Sequence, residues 1–111
     1  MGKWEIVFYP PEGEKHSPID ILKHIPRPSD QALITRRLDL ISDLEMGDWP
    51  HWVKMVESLY QVTAGDYRVY FDLDGKKMII CHICRKVSQK ALKSDLDRAR
   101  NNFNNYRGSK E

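Results

Sequence analysis

Apolar and polar residues alternate from the start of the chain. Trp4, Ile6 and Phe8 fall on one side of a strand over residues 3–9, with Glu5, Val7 and Tyr9 on the other. Pro10-Pro11 and the Glu12-Gly13-Glu14 turn stop it. Ser17-Pro18-Ile19-Asp20 carries a capping Ser, Pro at the first helical position and an early acid. That predicts a short helix to about His24, closed off by Pro26 and Pro28. Ser29 is the next expected cap. Leu33, Ile34, Arg37, Leu38, Ile41 and Leu44 then keep the spacing of an amphipathic helix, with Gly47 as its C-cap. Residues 48–52 read as a loop, whose Trp49 and Trp52 suit packing against the domain better than stacking on bases.

Beyond this loop the period shortens to two. Residues 59–63 alternate weakly before the Ala64-Gly65-Asp66 turn. Two apolar runs, residues 67–73 and 76–83, flank Asp74-Gly75, a pair suited to the positive φ of a type I′ hairpin. Closing the hairpin there sets Leu73 opposite Lys76, Asp72 opposite Lys77, Val69 opposite Ile80 and Arg68 opposite Cys81. His82 then lies on the Val69–Phe71 face, away from Arg68. The second run is apolar on both faces and belongs in the sheet interior. Leu92, Leu96, Ala99, Phe103 and Tyr106 form a last helical stripe that needs the sheet as its cover, and the chain is expected to fray from about residue 107. The expected fold is α+β, in the order β-α-α-β-β-β-α, with a small twisted antiparallel sheet packed by helices. Residues 1–111 make a single domain of ordinary size.

Composition narrows the class. With 41% hydrophobic and 31% charged residues, the chain is neither a disordered polar segment nor a membrane protein. Its longest uninterrupted apolar stretches, Met78-Ile79-Ile80-Cys81 among them, are far short of a span. Met1-Gly2-Lys3-Trp4-Glu5 leads straight into a strand without the apolar core of a secretion signal, and the Ser/Thr of a myristoylation motif is missing. A cytoplasmic location and no membrane partner are expected. Net charge is only +2, but its distribution is uneven. Arg85, Lys86, Lys90, Lys93, Arg98, Arg100 and Arg107 stand against Asp95 and Asp97, while residues 39–48 are acidic. This basic third suits an anion-facing surface and equally a solvated helix face. Cys81-His82-Ile83-Cys84 spells C-x-x-C, yet strand positions three apart point to opposite faces, so the thiols should diverge. They read as buried strand cysteines, with no metal or cofactor expected.

The run Leu59-Tyr60, Gly65-Asp66-Tyr67-Arg68-Val69-Tyr70-Phe71 and Asp74-Gly75-Lys76, followed by His82 and by Lys86 and Ser88-Gln89-Lys90, resembles the RelE/ParE toxin superfamily. It is most similar to the HigB-like, phage-derived branch, where a G-x-Y-R-V-x-Y strand precedes H-x-F-x-K-K-x-x-K. Residues 95–99 and Tyr106 fit that branch's last helix. The resemblance follows element order along nearly the whole chain and residue identity from about Leu59 to Tyr106. It implies a twisted sheet with two helices on one side and a basic face covered by a cognate antitoxin protein. For many members it also implies ribosome-dependent mRNA cleavage. A homodimer or a toxin–antitoxin hetero-oligomer would be the assembly.

Metal-independent RNA cleavage needs an activated 2′-hydroxyl, cations for the charge that builds on phosphate, and a proton for the leaving oxygen. Arg68 and Lys86 stand at the family's catalytic positions by resemblance. Arg68 shares a strand face with Tyr70 and Asp72, and its guanidinium can grip phosphate, although pairing with Asp72 or Asp66 would make it structural. Arg85, Lys90 and Lys54 are candidate RNA phosphate ligands, and His82 and Tyr106 candidate proton-transfer groups that packing could equally explain. The sequence departs from the family in three places. No cation stands at Tyr60-Gln61-Val62-Thr63, Val87 replaces the second of a basic pair, and Leu92 stands where some relatives place a tyrosine. Three functions therefore remain: a toxin endoribonuclease, a ParE-like gyrase inhibitor, and a non-catalytic binding module such as a decayed prophage relative.

Overall fold

The N-terminal alternation forms β1 (Glu5–Phe8), and the Ser17-Pro18 signal starts α1 (Pro18–Lys23). The computed structural model describes residues 2–109. It continues through α2 (Pro28–Ser42), a 3-10 turn (Met46–Asp48), β2 (Val53–Val56), β3 (Leu59–Ala64), β4 (Tyr67–Asp74), β5 (Lys77–Arg85) and α3 (Lys93–Ser109). The five strands form one sheet in the order β1-β5-β4-β3-β2. β1 runs parallel to β5 and the other pairs are antiparallel. The class is α+β as expected, but the sheet is mixed, and its C-terminal meander has four strands where three were expected.

The additional strand, β2, lacks a turn signal. Its hairpin with β3 closes on Glu57 and Ser58, both at positive φ (48° and 71°), a conformation usually marked by Gly or Asn. Here Arg100 of α3 supports the turn by donating Nη2 to the Glu57 carbonyl at 2.7 Å. Helix boundaries also move. Pro28, with φ already fixed near the helical value, occupies the first turn of α2, so Arg27 and not Ser29 is the N-cap. Asp43 ends that helix, and Gly47 falls in the 3-10 turn. α3 begins after Leu92, which is 40% exposed. The helix continues past residue 107 to Ser109, while residues 110–111 of the expected frayed tail lie outside the described residues.

Two apolar layers sandwich the sheet. On one face Ile34, Leu38 and Ile41 of α2 meet Val62, Val69, Phe71, Met78 and Ile80, with Trp4, Ile6 and Phe8 alongside. Both loop indoles pack here. Trp49 lies edge-on to Tyr60 and Phe71 and donates to the Ile41 carbonyl at 2.9 Å, and Trp52 sits 4.6 Å beneath the Arg37 guanidinium. On the other face Leu96, Ala99, Phe103 and Tyr106 of α3 cover Leu59, Tyr70, Ile79 and Cys81. β5 is therefore buried on both sides, as its apolar run predicts. Each fully buried large side chain contributes roughly 1.5–3 kcal/mol. Among the described residues no helix is long and apolar enough to cross a membrane.

The register of the β4–β5 hairpin differs from the expected one twice over. Asp74 pairs with Lys77, so the loop is Gly75-Lys76 and not Asp74-Gly75. Only Gly75 of the two has positive φ (60°), the pattern of a II′ turn and not a I′ turn. Further along, Phe71 pairs with Ile80 but Tyr70 pairs with His82. Cys81 is an extra residue, a β-bulge, and it reverses the facing of everything that follows. Val69 meets Ile83 and Arg68 meets Cys84. Asn102 of α3 donates Nδ2 to the carbonyl of the bulged Cys81 at 2.8 Å and is itself buried. Replacing Asn102 with Ala removes this buried hydrogen bond to the bulge. Urea denaturation of Asn102→Ala should show a stability loss of about 1–3 kcal/mol, whereas an unchanged midpoint would mean the bulge does not need this contact.

Candidate functional site

The bulge gathers polar side chains on the α3 face of the sheet. β4 contributes Arg68 and Tyr70 to this face, and β5 contributes His82 and Cys84 opposite them. This corrects two expectations, because His82 lies on the Arg68 face, and Cys81 and Cys84 both join the α3-side layer without diverging. Both thiols are free.

Arg68 is 4% exposed, and neither Asp72 nor Asp66 is its hydrogen-bond partner. Its Nη2 donates to the carbonyls of Ser88 and Gln89 at 2.7 and 2.8 Å, and its Nη1 to that of Lys90 at 3.2 Å. The guanidinium thus anchors the segment between β5 and α3. It also lines an open cleft of about 270 Å³, together with Lys54 and Glu57 of the β2–β3 hairpin, Gln61 of β3, and Gln89 and Lys90 of that segment. Lys54, Arg68 and Lys90 come from three separate stretches of chain. Lys54 and Lys90 are exposed, and neither takes part in an ion pair among the described residues. Among the described residues Glu57 is the single carboxylate lining this cleft, and Arg100 lies 3.7 Å from it. Gln61 accepts at 3.0 Å from the buried Tyr70 hydroxyl, whose own ionisation burial suppresses.

The remaining candidates lie elsewhere. Arg85 lines a second depression with Arg27, Asp30 and Asp66, next to the start of α2. Lys86 is exposed just past β5, its backbone N–H donating to the Asp66 carbonyl at 2.6 Å. Tyr106 is at the other end of α3, donating to Asp74 at 2.7 Å and packed edge-on against Tyr9. Asp74 lies six positions along β4 from Arg68, roughly 20 Å of strand. The Asp74 hydrogen bond pushes the Tyr106 phenol up to about 12, so it stays protonated. Sequence reasoning missed Glu57, Gln61, Arg100 and Asp95. Their signals were an unusual turn, a buried Gln in a strand and the bulge, none of which has a short sequence signature.

Beside the cleft, His82 Nε2 lies 3.0 Å from Asp95 Oδ1, in the first turn of α3. A carboxylate only accepts, so in the neutral ring Nε2 carries the proton. Nδ1 is then a lone pair, buried with no hydrogen-bond partner among the described residues. Cys84 lies in the same group, and the ligand-type atoms of His82, Cys84 and Asp95 are within 4.8 Å of one another. Burial, then Asp95, pushes the Cys84 thiol up to about 12. No protein-family model matches the chain, and a search of curated proteins finds no similar sequence.

Burial, the largest influence on His82, holds its pKa below the ordinary 6.5, against the opposing hydrogen bond to Asp95. The unfolded ring therefore takes up a proton that the folded ring resists. The resulting stabilisation is complete above 6.5 and is lost as pH falls through 6.5 towards the folded value. Between about pH 7.5 and about pH 5.5 the urea midpoint of the wild type should fall more steeply than that of His82→Gln. Equal slopes would show that His82 is not the group responsible.

Proposed function

We propose that the chain is a toxin of the RelE/HigB type that binds and cleaves ribosome-bound mRNA, with the cleft between β2, β3, β4 and the 86–92 segment as its RNA site. The observation that carries this reading is the convergence of Lys54, Arg68 and Lys90 on one cleft beside α3. Three cations from distant parts of a chain with net charge +2 make a local positive field suited to a phosphate backbone. Lys54 and Lys90 grip phosphate directly. Arg68, fixed by three carbonyls, sets the position of Lys90 and adds charge to the cleft floor. Glu57, which lines the cleft, accepts the 2′-hydroxyl proton as that oxygen attacks the phosphorus, the 5′-oxygen departs with a proton from solvent, and Arg100 keeps the carboxylate in place. The expected partners are a cognate antitoxin protein that covers the cleft, the ribosome and mRNA, in the cytoplasm.

A second reading, inhibition by binding without chemistry, draws on a different observation. His82 is tied to Asp95 and Tyr106 to Asp74, which leaves Glu57 as the carboxylate lining the cleft beside the cations Lys54 and Lys90. Inducible expression in a bacterial host separates the two. Wild type should arrest growth and produce ribosome-linked cuts in a reporter mRNA. Lys54→Ala/Lys90→Ala should relieve arrest and weaken RNA binding, lowering the salt slope of single-strand affinity by roughly 1.4. Glu57→Gln should keep that affinity and lose the cuts. Arrest with intact mRNA would favour the binding reading, and a well-folded wild type without effect on growth would end both.

A further inference from the structure

We propose that His82, Cys84 and Asp95 form a site for one zinc-like transition-metal ion, tying the start of α3 to β5. The inference stands independently of the RNA reading, because it rests on a different set of atoms. Three ligand types that borderline-soft metals prefer, an imidazole, a thiol and a carboxylate, come together within 4.8 Å. They come from two secondary-structure elements. The bulge at Cys81 turns both His82 and Cys84 to this face, and the first turn of α3 brings Asp95 down onto them. Small inward movements bring such atoms to metal-bonding distance, since zinc takes nitrogen, oxygen and sulfur at about 2.0–2.3 Å. Cys81, the other half of the C-x-x-C spelling, has no part in the group, its thiol lying against the Ile79 carbonyl at 3.2 Å.

Charge and hydrogen bonding are compatible with a dication. As the metal–sulfur bond forms, the Cys84 S–H proton passes to solvent, and the thiolate and the Asp95 carboxylate together neutralise the ion. Arg68 and Arg98 bring positive charge near the group, so a site without both anions would repel the metal. Binding at His82 Nε2 moves the ring proton to Nδ1. Among the described residues that atom has no hydrogen-bond partner, so the exchange adds no new unpaired group. The His82 and Asp95 side chains retain 12% and 22% exposure, which leaves solvent a way to a fourth coordination position. Three protein ligands and a water make the arrangement of an open zinc site.

Calorimetry of the full chain with Zn2+, and visible spectroscopy with Co2+, test this directly. The expected result is one equivalent bound, a thiolate-to-cobalt charge-transfer band, and a rise in melting temperature with Zn2+. Cys84→Ser and Asp95→Asn should each weaken binding by roughly tenfold or more, given that even outer-shell changes reach that size. The charge-transfer band should vanish in Cys84→Ser and persist in Cys81→Ala. Circular dichroism checks that each variant is folded, and the two ligand variants give independent readings if one is not. Absence of saturable binding by the wild type, or an unchanged affinity in folded Cys84→Ser, would overturn the proposal.

Discussion

Cys81 is the residue that β5 carries in excess of β4, and Asn102 of α3 holds its carbonyl. Most of the chemistry on the α3 side of the sheet depends on that extra residue. With the hairpin closed at Gly75-Lys76 and no bulge, Val69 would face His82, and the imidazole would point into the α2-side core. A polar ring buried there without a partner would cost on the order of 1–3 kcal/mol. The bulge instead turns His82 to Asp95 and Cys84 to Arg68, and Ile83 fills the α2-side layer. One inserted residue thus satisfies both layers of the sandwich, and the helix that covers the bulge also secures it.

A second dependency links the cleft to α3. Arg68 reaches out of the sheet to hold residues 88–90, the approach to α3, and Arg100 reaches back from α3 to the Glu57 turn. The two arginines brace opposite sides of the same opening. Their charges therefore serve geometry as well as electrostatics, while Lys54 and Lys90 remain exposed in the cleft.

Periodicity made the elements legible, while the exceptions to periodicity hid the site. Strand β1, helices α1 and α2, the doubly buried β5 and the apolar stripe of α3 all follow from residue spacing, because burial of one face is what selects them. Lys54, Arg68 and Lys90 were identifiable as basic residues near strand ends. Their convergence depends on β2, which a Glu57-Ser58 turn conceals because neither residue announces positive φ. The face of His82 depends on a bulge, and a bulge shows only as a failure of alternation within a run that is apolar on both sides. Asn102 looked like a polar position on a helix, since its carbonyl partner belongs to a strand about twenty residues earlier.

Under the proposed function, the α3-side cleft, and not the α1/α2 side, would meet RNA. Amide chemical-shift mapping of the full chain titrated with a short single-stranded RNA addresses it most directly. The account predicts shifts concentrated at residues 54–61, at Arg68 and across residues 88–91, fading as salt rises. Shifts confined to α1 and α2, or none at low salt, would contradict it.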